Sequence, residues 1–124
     1  MGEEIKEVCM MKQKGYVHLS GLSINQAFQG RRFLTKEAKA WREEALWLLK
    51  MLKIPMIAGW VEVSYIFTLK GGYKTKDVAN LEKEFTDALV DANILDDDRF
   101  IRKMTLEKVQ GEIDKIEFEI IKLN

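Results

Sequence analysis

The chain reads as an α+β domain, with a mixed or antiparallel sheet covered by two main helices. Two stretches repeat apolar residues at helical spacing, and two others alternate apolar with polar residues. Their order is strands, helix, strand, helix, two strands, which is the α+β arrangement. At 124 residues the chain has room for one core, so residues 1–124 are expected to form a single domain.

The elements follow in order. Ile5 to Met11 mixes apolar and charged residues and reads as a strand, with GYVHLS as its hairpin partner across a Lys14-Gly15 turn. The stretch GLSINQAFQGRRF has no period and reads as a loop. Thr35 suits the N-cap of a first helix, along which Ala38, Trp41, Ala45, Leu48, Leu49 and Leu52 recur. Lys36, Lys39, Arg42 and Glu43 fall off that stripe, and the helix ends before Pro55. WVEVSYIFTL is the clearest strand, with Val61, Val63, Tyr65, Phe67 and Leu69 on one face. After the basic loop KGGYKTK, a second helix runs from about Val78 to Ala92 on the stripe Leu81, Phe85, Ala88, Leu89 and Ala92. Its other face carries Asn80, Lys83, Asp87 and Asp91. Two strands close the chain, about Phe100 to Val109 and Ile113 to Leu123, joined near Gln110-Gly111.

Composition excludes several classes. The formal net charge is zero, which argues against a strongly basic nucleic-acid protein but leaves room for a local basic surface. No apolar run reaches membrane-spanning length, and the charged start MGEEIKEVCMMKQKG lacks a signal-peptide core, so no membrane role is expected. The single Cys9 has no internal disulfide partner, which makes a reducing cytoplasmic setting the default. Glycine-rich phosphate loops, zinc-ligand spacings and a Ser-His-Asp set are all missing from the sequence. His18 reads as an ordinary strand residue, and Trp41, Trp47 and Trp60 as core or dimer-interface residues.

The chemistry-bearing stretch is KTKDVANLEKEFTDALVDANILDDD. Asp77 opens a helical pattern, Lys83 lies six positions on, and Asp96, Asp97 and Asp98 stand where the helix gives way. Like charges gathered this way repel unless a cation lies between them. Mg²⁺ takes carboxylate oxygens, keeps several waters and bridges to substrate phosphate. Lys83 suits the neutralisation of charge on a phosphorus in flight. On spacing alone a solvated turn explains the acidic run better.

A resemblance shifts that balance. DVANLEKEFTDALVDANILDDDRFI resembles the signature of the RusA family of Holliday-junction resolvases, which is Asp-x-Asp-Asn-Leu-x-Lys, an Asp-Ala-Leu helix and a paired Asp before an apolar strand. Asp77, Asn80, Leu81 and Lys83 match the first part, Asp87-Ala88-Leu89 the second, and Asp97-Asp98 the third. LSGLSINQAFQGRRFLTKEAKAWREE is similar to the family's Ser-x-Asn loop, basic-aromatic stretch and Ser/Thr-x-Glu helix start. The likeness runs from about Ser20 to Val109.

The resemblance implies a RusA-like fold and a homodimer that nicks four-way DNA junctions symmetrically, with Mg²⁺ or Mn²⁺ as cofactor. It assigns Asp77 and Asp98 as catalytic metal ligands, Lys83 as the catalytic lysine, and Asp97 as a neighbour in the metal set. Arg31, Arg32, Lys36, Lys74, Lys76 and Asn80 become candidates for DNA contact, with Phe28 and Phe33 as possible stacking side chains. One departure stands out: the second Asp of Asp-x-Asp is Ala79. A methyl group ligates nothing, so a subgroup with fewer ligands, a disabled variant and a junction binder that does not cut are all open. Asp97 or Glu62 would be the substitute carboxylate. About fourteen helical residues carry the chain about 20 Å from Asp77, and the remaining stretch returns it by at most about 20 Å at Asp98. The two aspartates therefore meet tightly within one subunit, or else across a two-fold dimer.

Overall fold

The computed structural model describes residues 11–22, 28–29 and 33–123, the side chains of 28, 29, 33 and 34 excepted. Strand β1 (Lys12–Val17) is followed by two short strands, β2 (Phe28–Gln29) and β3 (Phe33–Leu34), that pair as a small ladder. Then come α1 (Lys36–Met51), β4 (Val61–Leu69), α2 (Val78–Asp91), a 3₁₀ turn (Asp98–Phe100), β5 (Ile101–Gln110) and β6 (Lys115–Lys122). The main sheet has the order β1-β6-β4-β5. It is mixed, because β4 pairs antiparallel with β6 and parallel with β5. That parallel step needs a crossover, and α2 supplies it.

Alternation in β4 sets the layers. Val61, Val63, Tyr65, Phe67 and Leu69 are buried, and register sets Ile120, Phe118 and Ile116 of β6 beside Val63, Tyr65 and Phe67. Against this face pack Ala38, Trp41, Ala45 and Leu49 of α1 and Leu81, Phe85 and Leu89 of α2. Tyr65 and Phe85 meet edge to face with centroids 5.0 Å apart, a favourable aromatic geometry. Trp41 also donates its indole N–H to the Ser20 carbonyl at 2.6 Å, tying the segment before β2 to α1.

The helix ends follow their capping chemistry. Thr35 Oγ1 accepts the Ala38 N–H at 3.1 Å, as a Thr N-cap should. At the far end of α2, Asn93 adopts a left-handed φ of 60°. The Ile94 N–H bonds Leu89 O at 2.9 Å and the Asn93 N–H bonds Val90 O at 3.0 Å, which together make a Schellman motif. Ile94 and Leu95 are both buried, and Leu95 bridges to Ile57. The chain leaving α2 is thereby pinned before it reaches Asp97.

Two local expectations need correction. Lys14-Gly15 is not a hairpin turn: Lys14 pairs with Glu119 and Gly15 with Phe118 inside β1. Glycine serves close packing here, since a Cβ at position 15 would lie 3.1 Å from Leu52, Ile54 and Phe118 side-chain atoms. The stretch read as a loop before Thr35 holds the β2–β3 ladder. The expected strand from Ile5, and Cys9, lie outside the described residues except for Met11, which is not in a strand. No helix among the described residues is long and apolar enough to cross a membrane.

Candidate active site

Asp77 is the N-cap of α2, yet its side chain makes no capping hydrogen bond and is exposed. The carboxylate is therefore not committed to the helix it begins. The basic loop before it is held from below: Lys108 of β5 donates to the Lys76 carbonyl at 2.8 Å and lies 4.9 Å from the Tyr73 ring centroid. Lys76 donates to the Gly21 carbonyl at 3.3 Å. Lys36, Lys74 and Ala79 are exposed, while Asn80 is half-buried. Arg31 and Arg32 lie outside the described residues, as do the side chains of Phe28 and Phe33.

Lys83 gathers the acids. Its ammonium donates to Asp87 Oδ1 at 3.2 Å, one helical turn on, and lies 3.6 Å from Asp98 Oδ2. The hydrogen bond to Asp87, aided by the charges of Asp87 and Asp98, raises the Lys83 pKa above its ordinary value despite some desolvation. Lys83 is a cation at neutral pH, suited to stabilising negative charge and not to removing a proton. Asp97 caps the 3₁₀ turn by accepting the Arg99 N–H at 3.1 Å. That bond, seconded by hydrogen bonding with Asp98, holds the Asp97 carboxyl below its ordinary value.

The return of the chain from α2 is shorter than the sequence suggested. Asp98 does not travel the whole helix back; it meets Lys83, about 9 Å along the axis beyond Asp77. The long lysine side chain covers part of the remaining distance. Asp98 stands between two depressions. One, of about 230 Å³, is lined by Arg42, Asp87, Asp91 and Asp97; the other, of about 340 Å³, by Glu82, Lys83, Arg102 and Lys103. A wider depression of about 510 Å³ lies on the sheet face turned from the helices, among Lys14, Tyr16, Ile66 and Glu117. None of the motif residues lines it.

Among the described residues no group of three or more His, Cys, Asp or Glu side chains is gathered as a metal cage. The oxygen donors present fit only an ion of the Mg²⁺ type, which accepts one or two carboxylates and completes its shell with water and phosphate. Glu62, the other carboxylate the sequence offered, pairs with Lys103 at 3.8 Å and lines neither of the depressions beside Asp98.

Sequence reasoning missed the ion pair beneath the site. Glu84 is 1% exposed and accepts from both Arg42 Nε at 2.9 Å and the terminal guanidinium nitrogen at 2.6 Å, clamping α2 to α1. The signal was available: Glu84 lies three residues after Leu81 and four before Ala88, on the buried stripe. A buried acid on that stripe calls for a cation from the facing helix. Behind it, Tyr65 Oη and Thr86 Oγ1 share a hydrogen bond at 2.9 Å, and Thr86 donates to Glu82 at 2.6 Å. Burial pushes the Tyr65 phenol pKa up, so the hydroxyl stays protonated.

No curated protein matches this chain. A family comparison does: the Endodeoxyribonuclease RusA family matches residues 12–121, from the first described strand to the last. That family's signature activity is nucleolytic resolution of Holliday junctions, and its match spans both the mixed sheet and the Lys83–Asp98 turn. By that match this chain belongs to the RusA endodeoxyribonuclease family.

Proposed function

We propose that this chain cuts four-way DNA junctions at the Lys83–Asp98 site, as a two-fold homodimer that makes one nick per subunit. The observation carrying this reading is a lysine held cationic between two acids, one on its own helix and the other fifteen residues away in sequence. Lys83 would stabilise the negative charge that develops on the phosphodiester during cleavage. Asp77 and Asp98 would be the metal ligands, with Asp97 as their neighbour. Mg²⁺ or Mn²⁺, when bound, would lower the pKa of a water and neutralise phosphate charge. Asp87 orients the ammonium, and the Arg42–Glu84 clamp fixes α1 against α2 beneath it. Arg31, Arg32, Lys36, Lys74, Lys76 and Asn80 would hold DNA phosphates on either side, binding shape more than sequence. Two-fold symmetry matters because opposed nicks turn cutting into resolution. A reducing cytoplasm is the setting that suits such an enzyme.

Ala79 favours a second reading, a homologue that binds junctions without cutting them. The two are separated by a nicking assay on a synthetic four-way junction with Mg²⁺ and then Mn²⁺. Symmetric nicks support the first reading, and binding without nicks under both metals supports the second. Ala79→Asp should tighten Mg²⁺ affinity and raise nicking. No change in either would refute this placement of the metal site.

A further inference from the structure

The start of β5 holds features that the family motif does not use. After Asp98 the chain reads Arg99-Phe100-Ile101-Arg102-Lys103, three cations within five residues. β5 is an edge strand, and its pairing with β4 steps from Val61↔Ile101 to Glu62↔Lys103. Arg102 is thus the extra residue of a β-bulge. Bulges re-aim side chains and are over-represented beside active sites. Here Arg102 and Lys103 line the same depression as Lys83 and Asp98. Lys103 is 68% exposed, and its ion pair with Glu62 is long at 3.8 Å, so it contributes little and yields readily to a phosphate.

An aromatic pair adjoins these cations. Trp60 and Phe100 meet edge to face with centroids 5.5 Å apart, and the Arg99 guanidinium lies 4.9 Å from the Phe100 centroid. The Trp60 carbonyl accepts the Leu123 N–H at 2.9 Å, which anchors its backbone, while its side chain remains exposed. An exposed indole on a fixed backbone, backed by a second ring and flanked by cations, is the chemistry that binds unpaired nucleotides. Cations take the phosphates, and the ring accepts any base because every base has a π-face.

We infer that Arg102, Lys103 and the Trp60–Phe100 pair form a nucleotide-binding subsite beside Lys83 and Asp98, taking an unpaired DNA strand with a phosphate on Arg102 and a base on Trp60. The inference rests on the DNA-cutting reading, since it supplies the strand that the site would act on. The test is fluorescence anisotropy of the full chain with a labelled four-way junction and a labelled single strand, over a salt titration. Arg102→Ala should flatten the log–log salt slope for the single strand by about 0.7, the loss of one single-strand phosphate contact. Trp60→Ala should weaken single-strand binding by about 5- to 150-fold, and Trp60→Phe should restore most of it. Lys50→Ala, on the exposed last turn of α1, should leave both measurements alone. Thermal melts of each variant separate lost contacts from lost folding, and Arg102→Gln serves if the alanine variant melts early. An unchanged slope in the Arg102 variants, with Trp60→Ala within twofold of the parent, overturns the subsite while leaving the nuclease reading intact. A parent chain with no salt-sensitive junction binding overturns both.

Discussion

Replacing Arg42 with Met should destabilise the protein through Glu84. The carboxylate is 1% exposed, and both of its hydrogen bonds with Arg42 end on one oxygen. Removing one partner of a buried pair costs about 3–5 kcal/mol, because the other charge is left without compensation. The Arg42 side chain is 30% exposed, so water relieves part of the loss and the lower end applies. With about 2.1 cal/mol/K of unfolding entropy for each of 124 residues, a loss of about 3 kcal/mol lowers Tm by about 11 °C. The assay is thermal and urea unfolding followed by circular dichroism. The double variant Arg42→Met, Glu84→Met replaces the pair with apolar volume and should recover most of the loss. A single variant within about 0.5 kcal/mol of the parent would refute the reasoning, as would a double variant no better than the single.

Two further outcomes test the site and the sheet. Lys83→Met should lower single-turnover nicking by about 10²- to 10³-fold at saturating protein, with junction affinity changed only a few-fold; unaltered nicking would remove Lys83 from the reaction. Gly15→Val should cost about 1–3 kcal/mol in urea unfolding, because even its Cβ crowds Leu52, Ile54 and Phe118. A neutral or stabilising valine, as strand propensity alone would give, would show that the close approach does not matter.

The fold was legible where burial is one-sided. Alternation from Val61 to Leu69 and the helical stripe from Leu81 to Ala92 gave elements that match β4 and α2 closely, because each buries one face. The start of the chain was misread for a physical reason. A glycine beside a lysine signals a turn, but glycine also admits a neighbour's side chain into a strand, and local sequence does not separate the two uses. In the candidate site the motif residues could be named, but not their partners. Asp87 looked like one more solvent-facing acid of α2, and its hold on Lys83 follows only from side-chain reach. The bulge at Arg102 depends on how β5 registers against β4, a long-range pairing with no mark in the local pattern.

The charges around Asp98 give the site a direction. On one side lie Asp87, Asp91 and Asp97, and the cation there, Arg42, is already committed to Glu84. On the other lie Lys83, Arg102 and Lys103, with Glu82 as the acid. A phosphodiester approaching from the acidic side meets like charge in a concave, partly desolvated setting, where repulsion is stronger than in open water. Approach along β5 meets three cations before it reaches the carboxylates. In the proposed reaction the strand must therefore lie over Arg102 and Lys103, with the scissile phosphate stopping at Lys83. Asp98 then faces that phosphate across the lysine, and the acidic depression behind it stays clear of DNA. Ala79 stands on the same helical face, one turn before Lys83 and toward Asp77, so a carboxylate there would add an oxygen donor beside the ammonium. That position is the reason Ala79→Asp is expected to raise both metal affinity and nicking, with Asp87 keeping its hold on Lys83.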